Sequence, residues 1–526
     1  MTAVATPVRE ERGLGRRSLL SFAGSATSAL LGFLLVVVLA RFLGDADSGI
    51  VLQAIAVFMI ALGFARFGMD STAVWLLPRL ADDEPQQLRA TAWFLIAVSG
   101  VAGSLCAVVV WIGAGIAAQG NPADPLPPVV RVSAVFLPIA AMLLTALAVS
   151  RALGRIAEYV LIGGVGLPAA RLLAVLAAVL LGAALSGVML AWALPAAIAL
   201  ALAFVVVARQ LRGLGAGAGA RFFGTELPTR TLGFAGPRVI SAALEQMLLW
   251  ISVLVVGAVA GAAAAGVYGA ASRFVAAGMI VDSAIRVVFA PVFSRMQHRG
   301  AEGEVRELHR TATSWLVLFS APVFLLLAIF APVALSVLGP DFASGAATLA
   351  VMCVGALVAF LAGNVQTILL TAGRSGLAAI NKAVVVAVNV ALIPPFVAMW
   401  GIVGAAWAWT IACVIDAVLA WCEIRFLLRV RIAPDAGLAA LVACVGSVGL
   451  PAVIARTVIG PSLTGLLVAA AIGLVLFAAV CRLGRIPLRL VGFTPPAPRP
   501  PEHRRPGQHS RRSARPAHHT QKSGTP

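Results

Sequence analysis

Long apolar runs bounded by short polar turns recur from Ser18 to Arg482, and within them the hydrophobic positions are continuous rather than alternating. A hydrocarbon core about 30 Å thick is crossed by about 20 helical residues. Lipid offers no partner to a bare N–H or C=O, so a run of that length reads as a helix and not as a loop or an open sheet. A transmembrane barrel would instead show alternating segments of about ten residues. The pattern predicts fourteen spans, at about 18–43, 48–70, 91–117, 129–150, 158–182, 186–208, 232–258, 265–292, 312–335, 345–371, 376–399, 402–428, 435–457 and 462–482. The fold class expected is an all-α polytopic membrane protein.

Turns and linkers sort these spans into two six-helix lobes plus two C-terminal helices. Residues 1–208 form the first lobe, 209–231 a linker containing GLGAGAGA, 232–431 the second lobe, 432–484 the two added helices and 485–526 a tail. The first outer turn, LGDADSGIV, places Gly44 and Gly49 five apart; the fourth, AGAAAAGVY, places Gly261 and Gly266 five apart. Each closes the first hairpin of its lobe, as an internal repeat would. Two parallel blocks related by an axis along the membrane normal are a transporter architecture. The linker has neither the preceding strand nor the G-K-[ST] of a phosphate loop, so it reads as a flexible connection.

Composition agrees with a membrane chain: 61% of the 526 residues are hydrophobic, against roughly 45–50% in a soluble domain. The formal charge of +18 raises the question of nucleic acid until its placement is considered. With the amino terminus inside, thirty of the 39 basic residues fall in inner segments and inner span ends, and Arg41, Arg131 and Arg456 in outer ones. That asymmetry is the positive-inside signal, and it places both termini in the cytoplasm of a cell inner or plasma membrane protein. No nucleic-acid partner is expected. Four arginines precede the first run but no small-residue cleavage site follows it, so the run is expected to stay as a helix. The tail, PPAPRPPEHRRPGQHSRRSARPAHH, is too polar and proline-rich to build a core.

Catalytic and metal chemistry finds little to work with. All six histidines lie in inner segments, the six cysteines lie in or at the ends of apolar runs without a C-x-x-C pair, and no H-E-x-x-H or Walker sequence occurs. No outer loop is large enough for a catalytic domain. No cofactor and no enzyme activity are expected, and any transport draws on a gradient, the membrane potential or the substrate's own imbalance.

The candidate chemistry lies in charges within spans, which are costly in hydrocarbon and need a cavity or partners. Arg171, Arg238 and Arg273 are candidates for a cationic, substrate-binding cavity; Arg66 and Arg286 join them, although a place near the inner span ends also lets them snorkel. Glu245, Asp282, Asp416 and Asp70 are candidate counter-charges or ion-coupling sites. In an antiparallel hairpin, helical rise leaves Arg238 and Asp282 roughly 6 Å apart in depth and Glu245 and Arg273 roughly 9 Å. Arg238 and Glu245, seven apart, share a face, whereas Arg273 and Asp282, nine apart, lie on opposite faces. Both pairs form only if the second helix bends, near Gly278. Asp282 with Arg286, at i and i+4, has the most direct geometry, and Arg66 with Asp70 repeats it in the first lobe with the charges reversed.

Several stretches carry a family resemblance: ARFLGDADSGIVLQAIAVF at Ala40 to Phe58, SRALGR at Ser150 to Arg155, GVYGAASRF at Gly266 to Phe274, LGPDF at Leu338 to Phe342, TAGR at Thr371 to Arg374 and GIVGAAWA at Gly401 to Ala408. The chain resembles the MOP superfamily of flippases and exporters, particularly its polysaccharide-type members that move undecaprenyl-linked oligosaccharides. The resemblance implies two six-helix lobes around a central cavity, with alternating access carrying a lipid-linked saccharide from inner to outer leaflet. A cationic cavity suits a diphosphate or acidic sugar. Membrane lipids and other envelope polysaccharide proteins are the implied partners. Some cation-coupled exporters of the superfamily carry an acid in the first span, and none stands between Ser18 and Leu43. The alternatives are a MATE-type drug or cation antiporter, which calls for an acidic cavity, and an integral-membrane polymerase or glycosyltransferase, which calls for a large outer loop. Fluorescent-protein and alkaline-phosphatase fusions to the carboxyl terminus check the orientation: the first should fluoresce and the second stay inactive.

Overall fold

The structure is a computed structural model that describes residues 7–214, 227–282, 302–363, 375–427 and 435–483, with scattered positions in 284–296 and 365–369. The Gly-rich part of the linker, the tail and Arg286 lie outside the described residues. Among the described residues every regular element is helical. In order these are α1 (Pro7–Ala65), α2 (Met69–Asp83), α3 (Pro85–Gly120), α4 (Leu126–Ala134), α5 (Leu137–Ala152) and α6 (Ile156–Tyr159). A π-helical stretch, Val160–Gly166, leads into α7 (Leu167–Leu180), followed by α8 (Leu185–Ala193), α9 (Pro195–Gly213), α10 (Leu227–Ala260) and α11 (Ala262–Gly278). The later helices are Glu302–Ile329, Ala346–Leu361, Ser375–Trp400, Ile402–Phe426, Asp435–Cys444 continuing to Val458, and Leu463–Leu483.

The helices bear out the expected membrane fold. Twelve described segments are long and apolar enough to cross a membrane, and α4 with α5, bent by 45°, makes a thirteenth. One of the twelve, Phe22–Asp83, is 62 residues long and is interrupted at Gly44, so it holds two crossings and the count reaches fourteen. The α4–α5 bend has an identifiable cause: Pro138 at the start of α5 lacks the N–H that would continue the ladder. On α3, Val101, Leu105, Val108, Ile112 and Ile116 are exposed along one stripe, while Leu88, Ala92, Leu95, Ser99 and Gly103 are buried on the other face. In water the exposed stripe would be unfavourable; in a bilayer it meets hydrocarbon. The last helix uses small residues inward, with Gly465, Ala469 and Gly473 one turn apart and buried against its neighbours, as helices pack when lipid removes the hydrophobic drive.

At the middle of the bundle α1 packs against both α10 and α11. Gly44 has φ 76° and ψ −172°, and Gly261, 217 positions later, has φ 89° and ψ 173°. The two turns thus share a conformation that an L side chain resists. They also touch. A Cβ on Gly49 would overlap the carbonyl oxygen of Ala262, and one on Gly266 would overlap the carbonyl oxygen of Asp45. Asp45 and Ala262, like Gly49 and Gly266, are 217 apart, so the contact is reciprocal, as a two-fold axis requires. Leu52 lies directly against Gly269, its own counterpart at the same offset.

On a second flank of this seam the backbone of Gly68 lies against Ala235 and the Cβ of Arg238. Trp75 of α2 stacks on Phe234 of α10 at 4.2 Å and 6°, with Arg79 over Trp75 at 4.7 Å and Arg238 over Phe234 at 5.5 Å. Two glycines of different environment test the seam. Gly266→Leu is expected to cost about 1–3 kcal/mol through overpacking, read as a lower melting temperature of the purified protein. Gly113→Ala, whose Cβ enters open space, is expected to leave melting unchanged.

Candidate functional site

A cavity of about 530 Å³ lies between α1, α5, the π-helical stretch and α11. Its first wall is the small-residue face of α1, where Gly24, Ser28 and Gly32 recur every fourth residue and Ser25 adds a second hydroxyl. The opposing wall comes from Tyr159 and the π-helical Val160, Gly163 and Gly164. Span 1 and this stretch approach so closely that a Cβ on Gly24 would meet the Val160 side chain at 2.5 Å. Short π-helical insertions concentrate at functional sites because they break the regular ladder. From α11 come Arg273, Ala276 and Ala277. Among the described residues of this lining Arg273 is the charged one, and none is a carboxylate.

Arg273 is held by its own hairpin. Its guanidinium lies 3.9 Å from the centroid of the Trp250 ring, so the cation is balanced by an aromatic face on α10. Its Nε has no hydrogen-bond partner, which leaves donor capacity beside the cavity. On its other side it also borders a pocket of about 100 Å³ with Ser252, Tyr268 and Ser272. Ser252 in turn accepts a hydrogen bond from Asn389 at 3.0 Å.

Not all the charges expected together meet there. Arg171 turns onto Trp192: Nε donates to the Trp192 carbonyl at 3.2 Å and the guanidinium sits 4.1 Å over the indole. A mid-membrane arginine can therefore be satisfied by a carbonyl and a ring, and Arg171 is absent from the cavity wall. Arg238 is exposed, over Phe234. Glu245 is also exposed, and the pairing with Arg273 does not form because Arg273 is drawn onto Trp250. Arg66 and Asp70 do pair, at 2.9 Å and half-buried, across the break between α1 and α2. Gly68 with φ 67° makes that break, so the pair spans a turn rather than a continuous helix. Asp282 is buried and Asp416 half-buried; the Asp282–Arg286 pair lies outside the described residues through Arg286.

Tyr159, Ser25 and Ser28 escaped the charge-based reading. The signals were present: glycine and serine one turn apart on span 1, and the Gly163–Gly164 pair that accompanies the π-helical stretch.

A family model described as Polysaccharide biosynthesis protein matches residues 14–297, just over half of the chain. The chain belongs to that family. Among solved structures, the chain is similar to "Lipid II flippase MurJ, inward closed conformation", with TM-score 0.61 and 13% identity over 89% of this chain and 99% of that one. An inward-facing multidrug resistance MATE transporter of the MOP superfamily gives TM-score 0.63 and 12% identity over 78% and 98%. A MOP superfamily transporter from Pyrococcus furiosus, whose title notes a reverse polarity of the binding pocket, gives 0.56 and 13% over 79% and 95%. At such identities the likeness is one of fold: the chain shares the fold of these flippase and transporter structures. No curated protein gives a significant match.

The cavity's contact with water can be measured. In a variant lacking the six native cysteines, cysteines at Ser28 and Ala277 are expected to react with a water-soluble maleimide. One at Val108, on the lipid-facing stripe of α3, is expected not to.

Proposed function

We propose that this protein is a flippase that moves a lipid-linked saccharide of the undecaprenyl type from the inner to the outer leaflet by alternating access. The observation that carries this reading is the polarity of the cavity: among its described lining residues stand one arginine and three hydroxyl-bearing residues, and none of them is a carboxylate. A guanidinium with an unused N–H is suited to a phosphate oxygen, because charge-assisted bonds of this kind are shorter and stronger than neutral ones. On the α1 wall Gly32, where a Cβ would meet nothing within 4 Å, leaves open space beside it for a headgroup.

Two further facts support the reading. The family is one of polysaccharide biosynthesis proteins, and the neighbouring solved structures are transporters and flippases rather than enzymes. The share of the chain matched to the lipid II flippase, 89%, exceeds the 78% matched to the MATE transporter. A cation exporter would call for a carboxylate where this cavity has Arg273. Both termini lie on the cytoplasmic side in this reading, so the arginine-rich end of the bundle is the side of loading.

Reconstitution into vesicles with a fluorescent lipid-linked oligosaccharide tests it. Wild type is expected to exchange the lipid between leaflets. Arg273→Ala is expected to slow exchange about 10- to 100-fold, the effect of losing a charged hydrogen bond worth about 1.5–3 kcal/mol. Arg171→Ala is expected to lower thermal stability while leaving exchange by the folded fraction near wild type. Equal exchange in wild type and Arg273→Ala would remove the cationic-cavity mechanism.

A further inference from the structure

The face of α5 that lines the cavity does not stop at the cavity's edge. Leu144 and Leu147 belong to the lining, and Arg151 continues their row at seven and four residues further, spacings that share one helix face. Arg151 is exposed, in the last turn of α5. Its guanidinium lies 4.9 Å from the centroid of the Tyr159 ring, and Tyr159 is itself part of the cavity wall. The cation thus sits on the rim of the cavity at the arginine-rich end, away from the glycine turns.

Its surroundings hold it there and leave its charge available. The preceding residue, Ser150, is buried and accepts a hydrogen bond from Gln210 of α9 at 2.8 Å, which anchors the end of α5. The negative end of the α5 dipole favours a cation in its last turn. The neighbouring Arg155 is different, because it pairs with Glu158 at 2.8 Å. Arg151 makes no ion pair with any described carboxylate. Aromatic stacking orients a guanidinium without consuming its in-plane N–H donors, which remain directed at whatever enters beside the ring.

We propose that Arg151, oriented by Tyr159, is a second anion site at the cavity mouth, which takes the phosphate or diphosphate of an incoming lipid headgroup before Arg273 does. This rests on the flippase reading for the identity of the ligand, although the site itself is defined by its own geometry. Two cations at opposite ends of one cavity give a phosphorylated headgroup a graded path inward, and the rim site acts on capture rather than on the turnover of bound substrate.

The test separates a site from a mere topological charge. Pyrophosphate is titrated against the purified full-length protein, with binding followed by calorimetry. Arg151→Ala is expected to weaken binding about tenfold, equivalent to about 1.4 kcal/mol, whereas Arg151→Lys stays within about threefold. Arg155→Ala removes the same charge from the same segment and is expected to change binding less than twofold. Equal losses in Arg151→Ala and Arg155→Ala would mean that only net charge is felt, and unchanged binding in both, or no binding by wild type, would equally overturn the site. In vesicles, Arg151→Ala is expected to raise the concentration of lipid-linked oligosaccharide giving half-maximal exchange, with the saturated rate near wild type. Exchange with an unshifted half-maximal concentration would sink the rim site and leave the flippase reading standing. Arg151-dependent pyrophosphate binding without any saccharide exchange would do the reverse.

Discussion

Two backbone turns touch at the centre of this molecule with no side chain between them. Gly49 lies on Ala262 and Gly266 on Asp45, and the geometry admits nothing larger at either glycine. Inside a bilayer there is little hydrophobic force to bring helices together, so close backbone approach and the dispersion contacts it allows become the main source of cohesion. The rest of the architecture follows from that contact. Since the same local conformation at Gly44 and Gly261 turns the chain in both halves, the helices that leave them are related by the same axis, and any space between the halves must open away from it.

Space opens unequally on the two flanks. On the α2–α10 side, Gly63 and Gly68 lie against the backbone of Ala243 and Ala235, and the Trp75–Phe234 stack covers the join. The positions 217 residues after Gly63 and Gly68 are Ile280 and Ile285. Branched side chains thus stand where the first half has glycine, and the cavity lies on the α1–α11 flank.

The arginines illustrate one solution put to different ends. Arg171, Arg273, Arg238 and Arg151 each lie over an aromatic ring, at 4.1, 3.9, 5.5 and 4.9 Å. A ring face offsets part of the cost of a cation away from water while accepting none of its in-plane hydrogen bonds. Arg171 then spends a donor on a carbonyl and becomes part of the packing. Arg273 keeps its Nε donor unused beside the cavity. The difference between these two arginines is whether the neighbouring backbone offers a carbonyl, and for Arg171 that neighbour comes from a different helix.

The membrane class, the fourteen crossings and the repeated glycine turns were legible along the chain, because each follows from local composition: about twenty apolar residues must be helical in lipid, and glycine is the residue that readily accepts the φ found at Gly44 and Gly261; the family was legible only as a resemblance carried by short motifs. Charge pairing was not. The expected Glu245–Arg273 contact required only matching depth, but Trp250 on the same hairpin drew the guanidinium away, and Arg66–Asp70 met across a break that Gly68 introduces. Which arginine faces the cavity depended on rotations of whole helices about their axes, set by packing between residues more than a hundred positions apart. Sequence by itself determined that charges stand within the spans and that the glycine turn recurs; tertiary structure alone decided which charge borders the cavity, since that is a property of neighbours and not of spacing.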